Sequence, residues 1–277
     1  MKLAHLSDLH FAACSWNPLH LFSKRWLGNL NFLLGRRQLF EHARLEALPA
    51  FLKSLRVTTV LITGDLTTTS SPAEFAAVKQ FTDALEKENL EVLAIPGNHD
   101  HYTRAAYKNR LFYNYFPDQW GPLPFSLKVD GVSAKKLENG WWIVGIDTAL
   151  ATSWVHSTGY FDPKIEAALS RLLSHIPAGD RVLLSNHFPF FQHDSPRKRL
   201  VRGEALEALV SCHPQIKIYC HGHTHRQCKA NLQASHLPLI LDTGSTTHRE
   251  NGGWYLIDLS DTSASFYTWN KHAWNPA

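Results

Sequence analysis

Five short apolar runs in this chain each stop on a cluster of Asp, Asn or His. In order they are "KLAHLSDLH", "TVLITGD", "EVLAIPGNHD", "RVLLSNH" and "IKIYCHGHTH". Runs of this length, rich in Leu, Val and Ile, read as strands buried on both faces. Segments with helical spacing lie among them: "EHARLEALPAFLKSLR", "SPAEFAAVKQFTDALEKE", "DPKIEAALSRLLSHI" and "GEALEALVSC". This alternation predicts an α/β fold with parallel strands. In such sheets the ligand crevice lies outside the carboxyl ends of the strands, which is where the polar clusters fall.

Local signals sharpen the elements. Ser71 is an N-cap, Pro72 suits the first helical turn, and Phe75, Val78, Phe81 and Leu85 form one apolar stripe. Pro49 breaks or bends the preceding helix. "WWIVGIDT" reads as another strand, and "LPLILDTGS", "GWYLIDLS" and "SASFYTW" read as closing hairpins. No repeat, linker or break in composition divides the chain. Residues 1–277 are therefore expected to form a single domain, a sandwich of two sheets flanked by helices.

Bulk properties exclude several classes. A hydrophobic fraction of 44% over 277 residues supports a sizeable core, and 19% charged residues argues against extended disorder. The net charge of +4 mildly favours anionic partners but is small for a nucleic-acid-binding surface. The four cysteines, Cys14, Cys212, Cys220 and Cys228, show neither a Cys-x-x-Cys pair nor a disulfide framework, which points to free thiols in a reducing compartment. The N-terminus enters a strand pattern at once, so no secretory signal is expected, and no apolar run is long enough to span a bilayer. A cytoplasmic location follows as the expectation.

Seventeen histidines raise the prospect of a metal site. Asp8, His10, Asp65, Asn98, His187, His223 and His225 stand at the ends of the five strands. Two residues apart on extended chain, Asp8 and His10 would point the same way, as would His223 and His225. Oxygen and imidazole donors without sulfur suit Mn, Fe, Co or Zn. Seven ligands exceed the need of one ion with an open position and suit two ions with a bridging carboxylate. Any one of these residues alone is more often a turn or core residue; the joint pattern carries the inference. His101, His193 and His248 have no such support and are read as surface residues.

The ordered blocks Asp8-x-His10, Gly64-Asp65, Gly97-Asn98-His99-Asp100, His187 and Gly222-His223-x-His225 resemble the calcineurin-like metallophosphoesterases. That resemblance implies a four-layer α/β/β/α sandwich and two divalent metal ions. It implies one metal on Asp8, His10 and His225, another on Asn98, His187 and His223, and Asp65 between them. Water would attack phosphorus in line, and His99, with Asp65 the expected catalytic pair, would hold a phosphate oxygen and donate a proton. Asp100 either orients His99 or caps the next helix.

One segment departs from a plain sandwich. "LHLFSKRWLGNLNFLLGRRQLF", residues 19–40, begins nine residues after His10. Phe22, Trp26, Leu30 and Leu33 share one arc of a helical wheel, while Lys24 and Arg25 lie off it. This amphipathic insertion suits a membrane interface or lipid lip, or else a helix covering the core. Arg104, Arg197 and Arg199 are candidate substrate contacts beside the site. The whole sequence, this segment included, resembles the metallophosphoesterase-type UDP-2,3-diacylglucosamine hydrolases of bacterial lipid A synthesis. That likeness implies Mn, a nucleotide-linked lipid cleaved to UMP and diacylglucosamine 1-phosphate, and a peripheral position on the cytoplasmic face of the inner membrane. It implies no nucleic acid or protein partner. Some hydrolases of that pathway carry arginine where this chain has His99. The alternatives are a cyclic-nucleotide phosphodiesterase and a non-catalytic scaffold on the same fold.

Overall fold

A computed structural model describes residues 1–13, 39–151, 156–191 and 195–277. Phe22, Lys24, Arg25, Trp26, Leu30, Leu33, Cys14 and His193 lie outside the described residues. Of the insertion at 19–40, only Leu39 and Phe40 are described.

The first half of the chain supplies β1 (Lys2–Leu6), α1 (Leu48–Ser54), β2 (Val57–Thr63), α2 (Pro72–Lys87), β3 (Glu91–Ile95) and α3 (Arg104–Lys108). Pro49 does not break a helix running through it. A 3-10 turn at His42–Leu45 precedes it, and Pro49 lies in the first turn of α1, where a missing N–H costs nothing. Helix α2 opens on a full capping box: Ser71 accepts from the Glu74 N–H, and Glu74 reaches back to the Ser71 N–H. Its stripe at Phe75, Val78, Phe81 and Leu85 is buried as the spacing requires.

The second half supplies β4 (Val132–Lys136), β5 (Trp141–Ile146), β6 (Gly159–Tyr160), α4 (Pro163–Ser174), β7 (Arg181–Ser185), β8 (Leu200–Val201), α5 (Gly203–Ser211), β9 (Ile216–His221), β10 (Gln227–Asn231) and β11 (Leu239–Thr243). The chain closes with β12 (Gly253–Asp258), β13 (Ser263–Trp269) and β14 (Trp274–Pro276). Two six-stranded sheets result, with orders β14-β13-β12-β1-β2-β3 and β10-β11-β9-β7-β5-β4. Strands β1, β2 and β3 are parallel, as are β5, β7, β9 and β11. The closing strands are not one meander. β11 belongs to the second sheet, whereas β12 crosses to the first and pairs antiparallel with β1.

Strand alternation divides the interior into three cores. Leu3, Leu61, Leu93, Ile143, Leu183 and Ile218 face each other between the sheets. Val60 and Ile62 of β2 join Phe75 and Val78 of α2 on the outer face of the first sheet. Val144, Val182 and Leu184 join Leu169 and Leu172 of α4 on the outer face of the second. Both faces of each sheet are thus covered, which gives the four-layer α/β/β/α sandwich.

Leu183 is fully buried between the sheets. Leu183→Ala is expected to lower the urea-unfolding free energy by about 3 kcal/mol. Lys53→Ala, at a side chain 55% exposed, should stay within about 0.5 kcal/mol of the parent. A loss under about 1 kcal/mol at position 183 would mean that the inter-sheet layer is not close-packed.

Candidate metal centre

The strand ends meet through left-handed turns, not through strand alternation. β1 stops at Leu6 and β9 at His221, so the Asp8/His10 and His223/His225 pairs lie beyond extended chain. Their φ angles are +53°, +48°, +71° and +55°, and that of Asp65 is +53°. Such a conformation in a non-glycine residue costs of order 1–3 kcal/mol and persists only where the surroundings enforce it. Here they do. The Asp8 N–H donates to the Gly64 carbonyl, His10 N–H to that of Asp65, and Phe11 N–H to that of Leu66, all within 3.0 Å. From the other side, Ser245 Oγ donates to the Asp8 carbonyl at 2.6 Å and Thr247 Oγ1 to that of Leu9 at 2.9 Å.

Asp100 fixes the next junction. Its carboxylate accepts from the Leu66, Thr67 and Gly97 N–H groups and from Thr67 Oγ1, at 2.9 to 3.2 Å. It therefore ties the loop after β2 to the loop after β3, and neither orients His99 directly nor caps α3, whose N-cap is Thr103. Gly97 is required by close approach, since a β-carbon there would fall on the Asp65 carboxylate. Gly222 is required for the same reason, against Ser7 and Asp8.

The donor atoms converge in three overlapping groups: Asp8, His10 and His225; His10, Asp65 and His99; Asp65, His187 and His223. His225 Nε2 lies 3.0 Å from Asp8 Oδ1 and 3.0 Å from His10 Nε2. His187 Nε2 lies 3.5 Å from Asp65 Oδ2 and 3.3 Å from Asn98 Oδ1. Asp65 Oδ2 is 4.0 Å from His10 Nε2. Backbone carbonyls set the ring tautomers. His187 Nδ1–H donates to Thr63 at 2.8 Å, His223 Nε2–H to Lys198 at 2.7 Å, and His99 Nδ1–H to Thr68 at 2.7 Å. The opposite ring nitrogen of each is the one left to meet a ligand.

Electrostatics agree with a cation site. Burial pushes the Asp8 and Asp65 carboxyls upward, but the surrounding imidazoles outweigh it and hold both well below the usual carboxylate range. Burial lowers His10, and with His187 nearby it pushes His223 down to about 3. His187 is the exception: burial lowers it, yet the Asp65 charge prevails and the ring rises to about 9. Anionic carboxylates, imidazoles and an amide oxygen, without a thiolate among these residues, fit two borderline divalent ions. Asp8, His10 and His225 would hold one and Asn98, His187 and His223 the other, with Asp65 reaching both sides.

Several side chains differ from the sequence-based expectation. His101 is not on the surface: it is fully buried, with Nε2 3.6 Å from Asp147 Oδ2. His248 is half-buried and pairs through the backbone with Phe40, whose ring centroid lies 4.9 Å from that of His10. Arg44 pins this corner by donating to the His248 and Arg249 carbonyls and to Glu41. Arg197 and Arg199 are exposed on the loop whose Lys198 carbonyl holds His223. Arg104 is exposed at the start of α3. Tyr102, which sequence reasoning passed over, stacks on His99 at 5.3 Å. The adjacent "HDHY" aromatics were its only signal.

Comparison with known proteins agrees with this geometry. The family model for calcineurin-like phosphoesterases matches residues 1–227. No curated protein sequence matches the chain. Among solved structures, a dimetal phosphatase from Danio rerio is similar over 96% of this chain and 94% of its own, with TM-score 0.63 and 14% identity. A purple acid phosphatase from yellow lupin, Lupinus luteus, aligns with 99% of this chain and 52% of its own, with TM-score 0.65 and 11% identity. GAP50, the anchor in the inner membrane complex of Plasmodium, aligns over 100% and 88%, with TM-score 0.56 and 12% identity. At these identities the likeness is one of fold.

Two outcomes follow from the geometry. Gly97→Ala should weaken divalent-cation affinity by about 10- to 100-fold, the range for disturbed ligand support, as read by Mn titration with melting temperature as the folding check. His187, raised to about 9 without metal, carries a proton at neutral pH that a cation must displace. Below pH 9, binding should therefore release protons, and affinity should fall as pH drops. Calorimetry at pH 7 in buffers of different ionisation enthalpy should give different apparent enthalpies; identical ones would contradict the assignment.

Proposed function

This chain belongs to the calcineurin-like phosphoesterase family, and from that premise we propose that its substrate is a lipid-linked nucleoside diphosphate. It is a metal-dependent phosphoesterase with a site for two divalent ions. The substrate proposed is UDP-2,3-diacylglucosamine, cleaved to UMP and 2,3-diacylglucosamine 1-phosphate, with Mn as the metal and the cytoplasmic membrane surface as the workplace. When bound, the two ions supply Lewis-acid charge to phosphoryl oxygens and acidify water.

The chain's own groups supply positioning and a proton. Asp65 Oδ1 accepts the His99 backbone N–H at 2.7 Å, which fixes the carboxylate against the loop that carries His99. His99 gives its Nδ1–H to Thr68 and turns Nε2 to the centre, where it can serve a leaving oxygen. Exposed Arg197 and Lys198, beside His223, offer charge for a second phosphate.

The lipid assignment rests on one observation above all. The apolar, basic segment 19–40 ends at Phe40, and that ring packs on the metal-site residue His10 at 4.9 Å. Leu39 beside it is 45% exposed, a large apolar side chain at the rim of a polar site. A cyclic-nucleotide phosphodiesterase has no need of such a rim. No helix among the described residues is long and apolar enough to cross a membrane, so membrane contact is proposed as peripheral.

Purified protein with Mn and detergent is expected to hydrolyse UDP-2,3-diacylglucosamine and leave cyclic AMP intact. The reverse selectivity would establish the cyclic-nucleotide reading, and failure on every phosphodiester would favour a scaffold. Asp65→Asn and His99→Ala should each lower turnover by about 100-fold or more while the melting transition persists. Full turnover in either variant would place the chemistry elsewhere.

A further inference from the structure

We propose that Arg202 is a positioning residue for one of the two metal subsites: it clamps the short parallel pair β6/β8, and that pair holds the ligand His223. His223 Nε2–H donates to the Lys198 carbonyl at 2.7 Å. That carbonyl belongs to an exposed stretch, residues 195–199. Exposed loops are as a rule more mobile than the elements they join, so the bond orients the ring only if the loop is fixed from elsewhere. The strand pair fixes it. Gly159 and Tyr160 of β6 run parallel to Leu200 and Val201 of β8. The Ser157, Gly159 and Phe161 N–H groups donate to the Arg197, Arg199 and Val201 carbonyls at 2.9, 3.2 and 3.0 Å. Lys198 thus lies inside the zipped stretch, and the Tyr160 N–H ties the pair to the Thr148 carbonyl beyond β5 at 2.9 Å.

Two strands of two residues each are marginal by themselves, and Arg202 closes them. One guanidinium nitrogen donates to the Phe161 carbonyl at 2.9 Å and the other to the Glu166 carboxylate of α4 at 2.5 Å. The residue after β8 is thereby fastened to the residue after β6, and both to a helix of the core. A planar fork with two acceptors is work for arginine. Arg202 stands at φ +61°, a conformation that costs a non-glycine residue and persists where contacts enforce it. A second contact leads the same way. A β-carbon on Gly159 would fall 2.5 Å from the Phe188 ring, so β6 lies directly against that ring. Phe188 in turn packs on His223, with ring centroids 4.5 Å apart, and on His187 at 4.9 Å. Both routes end on the subsite of Asn98, His187 and His223. The Asp8–His10 turn of the other subsite is held from a different quarter, by Gly64, Asp65, Ser245 and Thr247. Loss of the clamp should therefore weaken one ion and spare its neighbour. The inference rests on the division of the ligands into two subsites.

The test uses the full-length chain and two readouts. In metal-free protein, nitrogen NMR of the imidazoles should show His223 as the Nε2–H tautomer, since the bond made by one ring nitrogen decides where the proton sits. Arg202→Gly removes the clamp while glycine adopts φ +61° freely and is tolerated at a helix N-cap. In that variant His223 should become a mixture of tautomers while His99 keeps its Nδ1–H. Mn titration should then show one ion bound about 10- to 100-fold more weakly and the other unchanged. Arg202→Lys, whose head reaches one acceptor at a time, should fall between parent and glycine variant. Glu166→Ala, which spares the bond to Phe161, should show the same selective loss in smaller degree. Melting temperature checks folding, and the last two variants carry the test if the first does not fold. An unaltered His223 spectrum in the folded variants overturns the proposal, and so does a titration that is unchanged or weakened equally at both ions. A parent protein that binds a single ion removes the two-subsite assignment, and the His223 spectrum then decides the clamp alone.

Discussion

The Asp65 carboxylate is the constraint on which the centre depends. One oxygen accepts the His99 N–H, and the other faces His187 and His10. Those contacts reach residues that follow β1, β3 and β7, so a single side chain joins both sheets at their carboxyl ends. The position is strained at φ +53° and exists only because Gly97 presents no side chain to it. Movement of this carboxylate would disturb both candidate metal subsites together. That is a plain reason for the density of hydrogen bonds that Asp100, Ser245 and Thr247 bring to the surrounding backbone.

The fold serves this convergence. Parallel strands β1, β2 and β3 approach from one sheet and β7 and β9 from the other, and the three cores hold the sheets at a fixed separation. A buried polar group below the site adds rigidity to the loop after β9. Asp242 accepts from Thr224 Oγ1 at 2.5 Å and from the Gly244 N–H at 2.8 Å, and lies 3.3 Å from His221 Nδ1. Burial raises this carboxyl well above its ordinary range, in contrast to Asp8 and Asp65, where histidines prevail. Buried carboxyls near one site are thus shifted in opposite directions because their partners differ.

The architecture was legible wherever strands are buried on both faces, since "TVLITGD" and "RVLLSNH" can be little else. The ligands were legible because residue type and strand end coincide. What escaped had no side-chain signature. The carbonyls of Thr63, Thr68 and Lys198 that set three imidazole tautomers belong to any sequence. The left-handed turns that aim Asp8 and His10 replaced the simpler alternation argument because β1 ends two residues too soon for it. Edge strand β10, "QCKAN", buries few side chains and so lacks an apolar run. His101 went into the core beside Asp147, and Phe40 came to His10 through a backbone bridge to His248, a pairing of residues far apart in sequence. Long-range contacts of that kind are set by topology and not by local pattern.

The most direct measurement is anomalous diffraction from crystals of this protein soaked in Mn. The account predicts two peaks per chain, about 3.5–4 Å apart. One should be bounded by Asp8, His10 and His225 and the other by Asn98, His187 and His223, with the Asp65 carboxylate against both. A single peak, or none with Asp8 and His223 still in place, would contradict it.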